Sequence, residues 1–329
     1  MTHQKMTILV VGGAGYIGSH ITKMLLEEGH QVIILDNLST GHKQLIVGGE
    51  FVHGHLGDVS LLDKTFQQFR IDAVMHFAAF SLVGESVSAP MKYYENNVVA
   101  TSVLLNAMIR HNVQHFIFSS TAAVYGEPET IPMDEDHPCN PTNPYGATKL
   151  TVERMLQDYA SAYDLTYTSL RYFNASGADP SGSIGEMHDP ESHLIPLLLK
   201  WAKGDLTEMK IFGDDYDTAD GTCIRDYVHV NDLARAHILA LAKSISDNTP
   251  AIYNLGNSTG HSVYEVVETA RIITGHPLPV TIAPRREGDP AVLVADSRKA
   301  RAELGWRPQF EDLTEIVRTA WNWESKRSS

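Results

Sequence analysis

Tyr145 and Lys149 stand four residues apart, a spacing that puts a phenol and an ammonium on one face of a helix beginning near Pro144. A free phenol, with a pKa of about 10, is a poor base at neutral pH. A neighbouring ammonium and a positively charged nicotinamide both favour the phenolate, which can then take a proton from a substrate hydroxyl as hydride leaves the same carbon. Among 13 tyrosines such a pair is weak evidence by itself. Its position adds weight, because it lies one helix after the apolar run 116–119. That run ends in Ser120-Thr121, where a hydroxyl could face the nicotinamide. Thr121 would then bind the same substrate oxygen as Tyr145, and Lys149 would also anchor the nicotinamide ribose.

A dinucleotide site is written near the N-terminus. Gly13, Gly15 and Gly18 satisfy GxGxxG, while Gly12, Gly15 and Gly18 give the wider GxxGxxG, with Ala14, Tyr16 and Ile17 between them. Glycine suits a tight turn that touches a pyrophosphate and lets a helix approach its strand, with the phosphates on unpaired amides at the helix N-terminus. Asp36 closes the next strand at about the interval expected for an acid that binds the adenosine ribose. Its charge would repel a 2′-phosphate, which favours NAD over NADP. The bland alternative is a strand-end turn residue in Asp36-Asn37-Leu38-Ser39. Asp58, after Gly57, is a weaker candidate for the adenine amine, with a turn aspartate as the alternative.

These groups need rigid elements to hold them. Residues 7–11, 31–35, 50–53, 73–77, 116–119 and 166–171 are short apolar runs that predict strands. Between them, 17–28, 61–69, 94–111 and 145–163 carry apolar residues at helical spacing. Alternating strands and helices predict an α/β chain, a doubly wound parallel Rossmann sheet with a smaller C-terminal substrate-binding region. The division falls after residue 173: 1–173 forms the NAD-binding part and 174–329 is mainly substrate-binding. Within the latter, 226–242 and 252–255 return to the sheet.

Composition narrows the partners. The 329 residues carry a net charge of −14, which argues against a nucleic-acid surface. No run reaches the roughly 20 apolar residues that cross a bilayer, and the start of the chain has no cleavage signal. Two distant cysteines, Cys139 and Cys223, suit a reduced cytoplasmic protein. The 16 histidines show no HExxH or Cys/His ligand spacing, so no metal is expected.

Taken together, these segments resemble the UDP-glucose 4-epimerase family of extended short-chain dehydrogenases/reductases. The resemblance is carried by 12–18, 36–39, Tyr93-Tyr94-Glu95-Asn96-Asn97, 119–126, Asn143-Pro144-Tyr145-Gly146, Arg171-Tyr172-Phe173-Asn174, 211–216, 225–230 and Arg285-Arg286-Glu287-Gly288-Asp289, and it runs from about residue 7 to 323. It implies NAD contacts from Phe77, Ala78, Ala79, Asn96 and Tyr172 besides the glycine loop, a UDP-hexose substrate and a homodimer through 94–111 and 145–163. It further implies that Asn174 contacts the diphosphate, Arg225 and Arg286 neutralise it, Phe212 lies on the uracil and Asp289 binds the uridine ribose. Phe173, His193 and Leu194 complete the substrate side. Two arginines in polar, glycine-bordered loops also suit bidentate phosphate recognition, which would solve the problem of anion binding by an acidic protein.

Three positions depart from the family pattern. Thr121 replaces a common serine but keeps the hydroxyl. Ser81 replaces a lysine carried by some members, and His193 replaces an asparagine often found before the leucine that corresponds to Leu194. Leu293 falls where members place either a tyrosine or a small residue beside the hexose C2 substituent. The resemblance thus implies interconversion of UDP-glucose and UDP-galactose through a 4-keto sugar, with action on UDP-N-acetylglucosamine as a variant. A nucleotide-sugar 4,6-dehydratase is the nearest other chemistry, but its usual Asp-Glu pair after the catalytic threonine is here Ala122-Ala123. A non-catalytic NAD-binding module is disfavoured by the intact Thr121, Tyr145 and Lys149 set.

Overall fold

The computed structural model describes residues 5–286 and 288–327. Its first strand, Thr7–Val11 (β1), is buried along almost its whole length, and successive side chains alternate between two cores. Ile8 and Val10 enter one apolar cluster, Leu9 and Val11 the other. Such a strand must be covered on both faces, which is the condition for a parallel sheet wrapped by helices.

The next strands are Gln31–Asp36 (β2), Glu50–His53 (β3), Ala73–His76 (β4), His115–Thr121 (β5) and Thr166–Tyr172 (β6). With the strand Ala251–Leu255 they form a seven-stranded parallel sheet. Reading across it, β3, β2 and β1 are followed by β4, β5, β6 and Ala251–Leu255. The order reverses between β1 and β4, and the crevice beyond the carboxyl ends of such a pair is where doubly wound sheets bind ligands.

One expected return to the sheet is corrected. Ile224–His229 does not join the central sheet; it pairs with Gly260–Ser262, Val292–Leu293 and Asn174–Ser176 in a second one. The helix that follows it, Val230–Asp247, does pack on the central sheet, through Leu233, Ala234 and Leu241. Asp226 explains the departure: buried among backbone N–H groups, its carboxylate accepts from Asn257, Ser258 and Ala295 and ties this strand to its own neighbours. Lys210–Phe212 and Thr281–Ala283 make a further parallel pair. The apolar cluster under these elements includes Leu198, Val266 and Ile316.

The helical stretch predicted at 94–111 is not uniform. Tyr94–Val99 is a π-helical turn that leads into the α-helix Ala100–Arg110. Such turns occur often where a helix must re-aim side chains. Here it directs the buried Asn97 at two other elements: its amide bonds both the N–H and the carbonyl of Phe80, at 3.0 Å each, and the Thr148 hydroxyl at 3.2 Å.

Candidate functional site

The glycine loop fills the crevice at the strand-order reversal. Gly12 has φ +84°, and a Cβ there would lie 2.6 Å from the Ala78 nitrogen. A Cβ at Gly18 would fall 2.2 Å from the Gly12 carbonyl oxygen. Both glycines are therefore required by the loop's closeness to β4 and to the helix Tyr16–Glu27. Phe77 and Ala78 both donate their N–H to the Val11 carbonyl, which holds the segment after β4 against the loop.

Beyond the loop lies an open cleft lined by Gly12, Gly15, Asp36, Asn37, Phe77, Ala78, Ala79 and Asn96. Thr40, Gly41, Leu56 and Phe80 line it too, and no sequence motif pointed to them. Asp36 is buried, with one carboxylate oxygen accepting from the Ala14 N–H at 2.9 Å and the other from Leu38 N–H at 2.8 Å. Gly41 comes so close that a Cβ there would stand 3.0 Å from the carboxylate. A polar, glycine-walled cleft ending in a carboxylate fits NAD. Asp36→Asn should therefore narrow the preference for NAD over NADP, measured by titrating both into the protein. Unchanged selectivity would mean that Asp36 does not meet the ribose.

Other candidates are used locally. Asp58 caps the helix Val59–Gln68, accepting from the Leu61 N–H at 3.0 Å. Tyr16 is buried and donates to the Gly177 carbonyl at 2.6 Å, and Ile17 packs into the core. Asn37 accepts from the Ser39 N–H at 3.0 Å, and Ser81 is exposed.

At the carboxyl end of β5 the acid/base group assembles. Asn143 caps the helix Pro144–Ala162, accepting from the Gly146 N–H at 2.9 Å, with Pro144 in the first turn. A Cβ at Gly146 would lie 2.3 Å from the Ala123 carbonyl oxygen, so glycine lets this helix press on the turn after β5. The Thr121 hydroxyl is thereby brought beside the Tyr145 phenol. The Thr121 oxygen also accepts from the Ala123 N–H at 3.2 Å. Lys149 is buried and donates to the Ser119 carbonyl at 2.7 Å; Ser119 in turn bonds the Tyr172 hydroxyl.

Ionisation departs from the sequence expectation. In the protein alone, burial pushes the Tyr145 phenol up, against the smaller lowering effect of the Thr121 hydroxyl. Burial also pulls Lys149 down to about 7, against the field of Glu153. The shared cause is removal from water, which disfavours a charge on either group. A positively charged nicotinamide acts in the other direction on the phenol.

Glu153 is the residue that motif reasoning missed. It lies one turn beyond Lys149 and is buried with Arg171, whose guanidinium grips it through Nε at 3.0 Å and a terminal nitrogen at 2.6 Å. Ser120 donates to it at 2.5 Å, Arg171 reaches Tyr125 at 3.1 Å, and Tyr125 reaches Asn254 at 2.6 Å. The readable signal was the third member of an i, i+4 series, 145, 149 and 153.

On the substrate side, the Arg286 guanidinium stacks 4.1 Å from the Phe212 ring centre, and Arg225 pairs with Asp289. Glu287, between them in the motif, lies outside the described residues. Asn174 pairs with Tyr227 beside that group. Leu293 is in register with Arg225, and with Phe173 and Ala122 it packs on the cluster of Val124, Tyr125, Met133 and Leu150. Leu194 starts the helix Leu194–Lys203 and packs into the third core. His193 sits just before that helix and turns toward Glu186, 2.5 Å away.

The fold and the dinucleotide cleft define an NAD-binding α/β enzyme, and the chain belongs to the NAD dependent epimerase/dehydratase family, which matches residues 8–256. A UDP-glucose 4-epimerase from Halalkalibacterium halodurans is 56% identical over 98% of this chain and 96% of its own. The crystal structure of UDP-glucose 4-epimerase from Brucella ovis in complex with NAD superposes with a TM-score of 0.94 at 49% identity, covering 96% of this chain and 97% of that one. That of the Bifidobacterium longum UDP-glucose 4-epimerase in complex with NAD+ and UDP gives 0.91 at 40% identity over 97% and 98%.

Proposed function

We propose that this chain is an NAD-dependent UDP-glucose 4-epimerase that interconverts UDP-glucose and UDP-galactose. The observation that carries the reading is the Thr121 hydroxyl beside the Tyr145 phenol at the carboxyl end of β5, in a chain that also forms a dinucleotide cleft and an Arg286–Phe212 stack. NAD supplies the acceptor that takes hydride from C4 of the hexose and returns it to the other face of the 4-keto sugar. Tyr145 takes the proton of the 4-hydroxyl and gives it back, while Thr121 orients the sugar oxygen. Lys149 and Tyr172 border the nicotinamide end. Gly12, Gly15, Tyr16, Ile17 and Gly18 hold the pyrophosphate turn, with Asp36, Asn37 and Asp58 toward the adenosine.

Phe212, Arg225, Arg286 and Asp289 hold UDP, with Asn174, His193 and Leu194 near its diphosphate. All are anchors for the nucleotide, so the hexose can turn over while UDP stays clamped. Ala122 and Ala123 have no proton to give, which sets aside loss of water from the sugar. The 1–173 part, with the strand 251–255, is the NAD-binding unit, and 174–329 mainly binds the UDP-sugar.

Purified protein mixed with UDP-galactose and no added oxidant should yield UDP-glucose without net NADH. One NADH accumulating per product would replace this reading with a dehydrogenase. The protein acts in galactose metabolism as a cytoplasmic homodimer. Its two cysteines are free, and Val87, Met91, Tyr94 and Val99 expose apolar surface beside the helix Ala100–Arg110. No described helix is long and apolar enough to cross a membrane.

Leu293 bears on substrate breadth. It packs on the same apolar cluster as Phe173 and Ala122, where an apolar side chain can yield to an acetyl methyl but cannot bond the amide. Weak but measurable activity on UDP-N-acetylglucosamine is expected. Leu293→Tyr should abolish it and spare UDP-galactose turnover; equal damage to both substrates would remove Leu293 from the hexose wall.

A further inference from the structure

Glu186, His188, Glu191 and His193 gather in the segment that leads into the helix Leu194–Lys203, each offering a ligand atom within 4.8 Å of all the others. The Nδ1 atoms of His188 and His193 lie 2.9 and 2.5 Å from one oxygen of Glu186. The corresponding Glu191 oxygen is 4.0 Å from the first ring and 3.4 Å from the second. Ligand atoms held about 2.1 Å from a common tetrahedral ion stand roughly 3.4 Å apart, inside that spread.

Burial supplies an independent observation. The Glu191 side chain is 3% exposed and the Glu186 side chain 5%. The Glu191 oxygen measured against the rings accepts from the N–H groups of Ser192 and His193, while the second oxygen of the same carboxylate has no hydrogen-bond partner. A buried carboxylate oxygen left unbonded is costly unless a further group meets it. Two carboxylates and two neutral imidazoles carry a charge of −2, which one divalent ion balances. Imidazole with carboxylate favours a first-row ion such as zinc over magnesium or calcium, which prefer all-oxygen sites.

We propose that Glu186, His188, Glu191 and His193 form a binding site for a divalent transition metal, with zinc as its best-matched ion. The site is structural. It would close the segment 186–193 onto itself and against the first helix, where His188 meets the Tyr16 ring edge-on at 6.2 Å between centres. A metal on Nδ1 would leave the His193 proton on Nε2, fixing that ring's tautomer and direction.

The site escapes motif reasoning because its spacing, Glu-x-His-x-x-Glu-x-His, brings all four ligands from one irregular segment. Both imidazoles must be neutral and both carboxylates ionised to bind zinc, so uptake should weaken as the pH falls.

The test uses full-length, tag-free protein stripped with chelator and then titrated with zinc chloride. Expected are one tight equivalent per chain by elemental analysis after desalting and a rise in the unfolding midpoint. His188→Ala should lose that equivalent, its zinc Kd rising at least about 100-fold, while His276→Ala, at an exposed histidine remote in sequence, keeps it. Glu191→Gln should show the same loss as His188→Ala, giving a second variant should the first misfold. No tight equivalent in the wild type, or one that survives both ligand substitutions, would overturn the proposal.

Discussion

Tyr145→Phe should lower kcat by about two orders of magnitude or more, the usual scale for removing a positioned acid/base, while NAD binding stays largely intact. The substitution deletes one oxygen from a half-buried ring and leaves the ring's packing in place. What it removes is the phenol hydroxyl beside Thr121, at the carboxyl end of β5 on the helix that also carries Lys149. Steady-state turnover of UDP-galactose, paired with a titration of NAD, separates the two effects. Near-wild-type turnover would mean that another group moves the proton. Loss of NAD affinity in parallel with activity would instead make the phenol a cofactor contact first. The raised Tyr145 and lowered Lys149 in the protein alone sharpen this expectation. The pair is poised by desolvation, so its proton affinity depends on what fills the cleft.

Glu153→Ala should cost about 3–5 kcal/mol of folding stability, the range for breaking a buried ion pair from one side. Both side chains are almost wholly buried, at 2% exposure for Glu153 and 5% for Arg171, and the guanidinium has no water to turn to. Arg171 would be left with Tyr125 and the Glu135 carbonyl. Urea or thermal unfolding measures the loss. A change below about 1 kcal/mol would show that the cleft admits water on truncation. Glu153 also lies where it supports the Lys149 charge, so Glu153→Ala should lower the Lys149 pKa further. The sign follows from burial: desolvation pulls Lys149 down, and the field that opposes it is this carboxylate. Between the folded value near 7 and the ordinary lysine value, the unfolded chain binds the extra proton, so this lysine makes stability rise with pH through that window.

Several parts of this protein were legible before any coordinates. The glycine spacing, Asp36 and the Tyr145/Lys149 pair are local patterns: each is set by a turn, a strand end or one helical turn, and each depends on residues near one another in sequence. The alternation of apolar runs foretold the parallel sheet for the same reason, since a strand buried on both faces is apolar along its length. Local periodicity carries no information about pairing across long intervals. Nothing near Ile224–His229 says that this strand joins Val292–Leu293 and Asn174–Ser176 instead of the central sheet; that follows from the buried Asp226 carboxylate meeting N–H groups 31 to 69 residues away.

The same limit hid Glu153 and Asn97, whose importance comes from partners in other elements. It also concealed the π-helical turn at Tyr94–Val99, since apolar spacing alone does not separate one extra residue per turn from a regular helix. Arg225 and Asp289 were each read as ligand groups, and only the folded chain shows them paired with one another. Protonation was the last thing to depend on tertiary structure. Spacing alone put an ammonium beside a phenol and implied an acidic phenol, but the free energy of either charge is set by how much water remains around it. Here the strand, the helix and the turn after β5 remove that water from both groups at once, and only their packing in three dimensions decides that outcome.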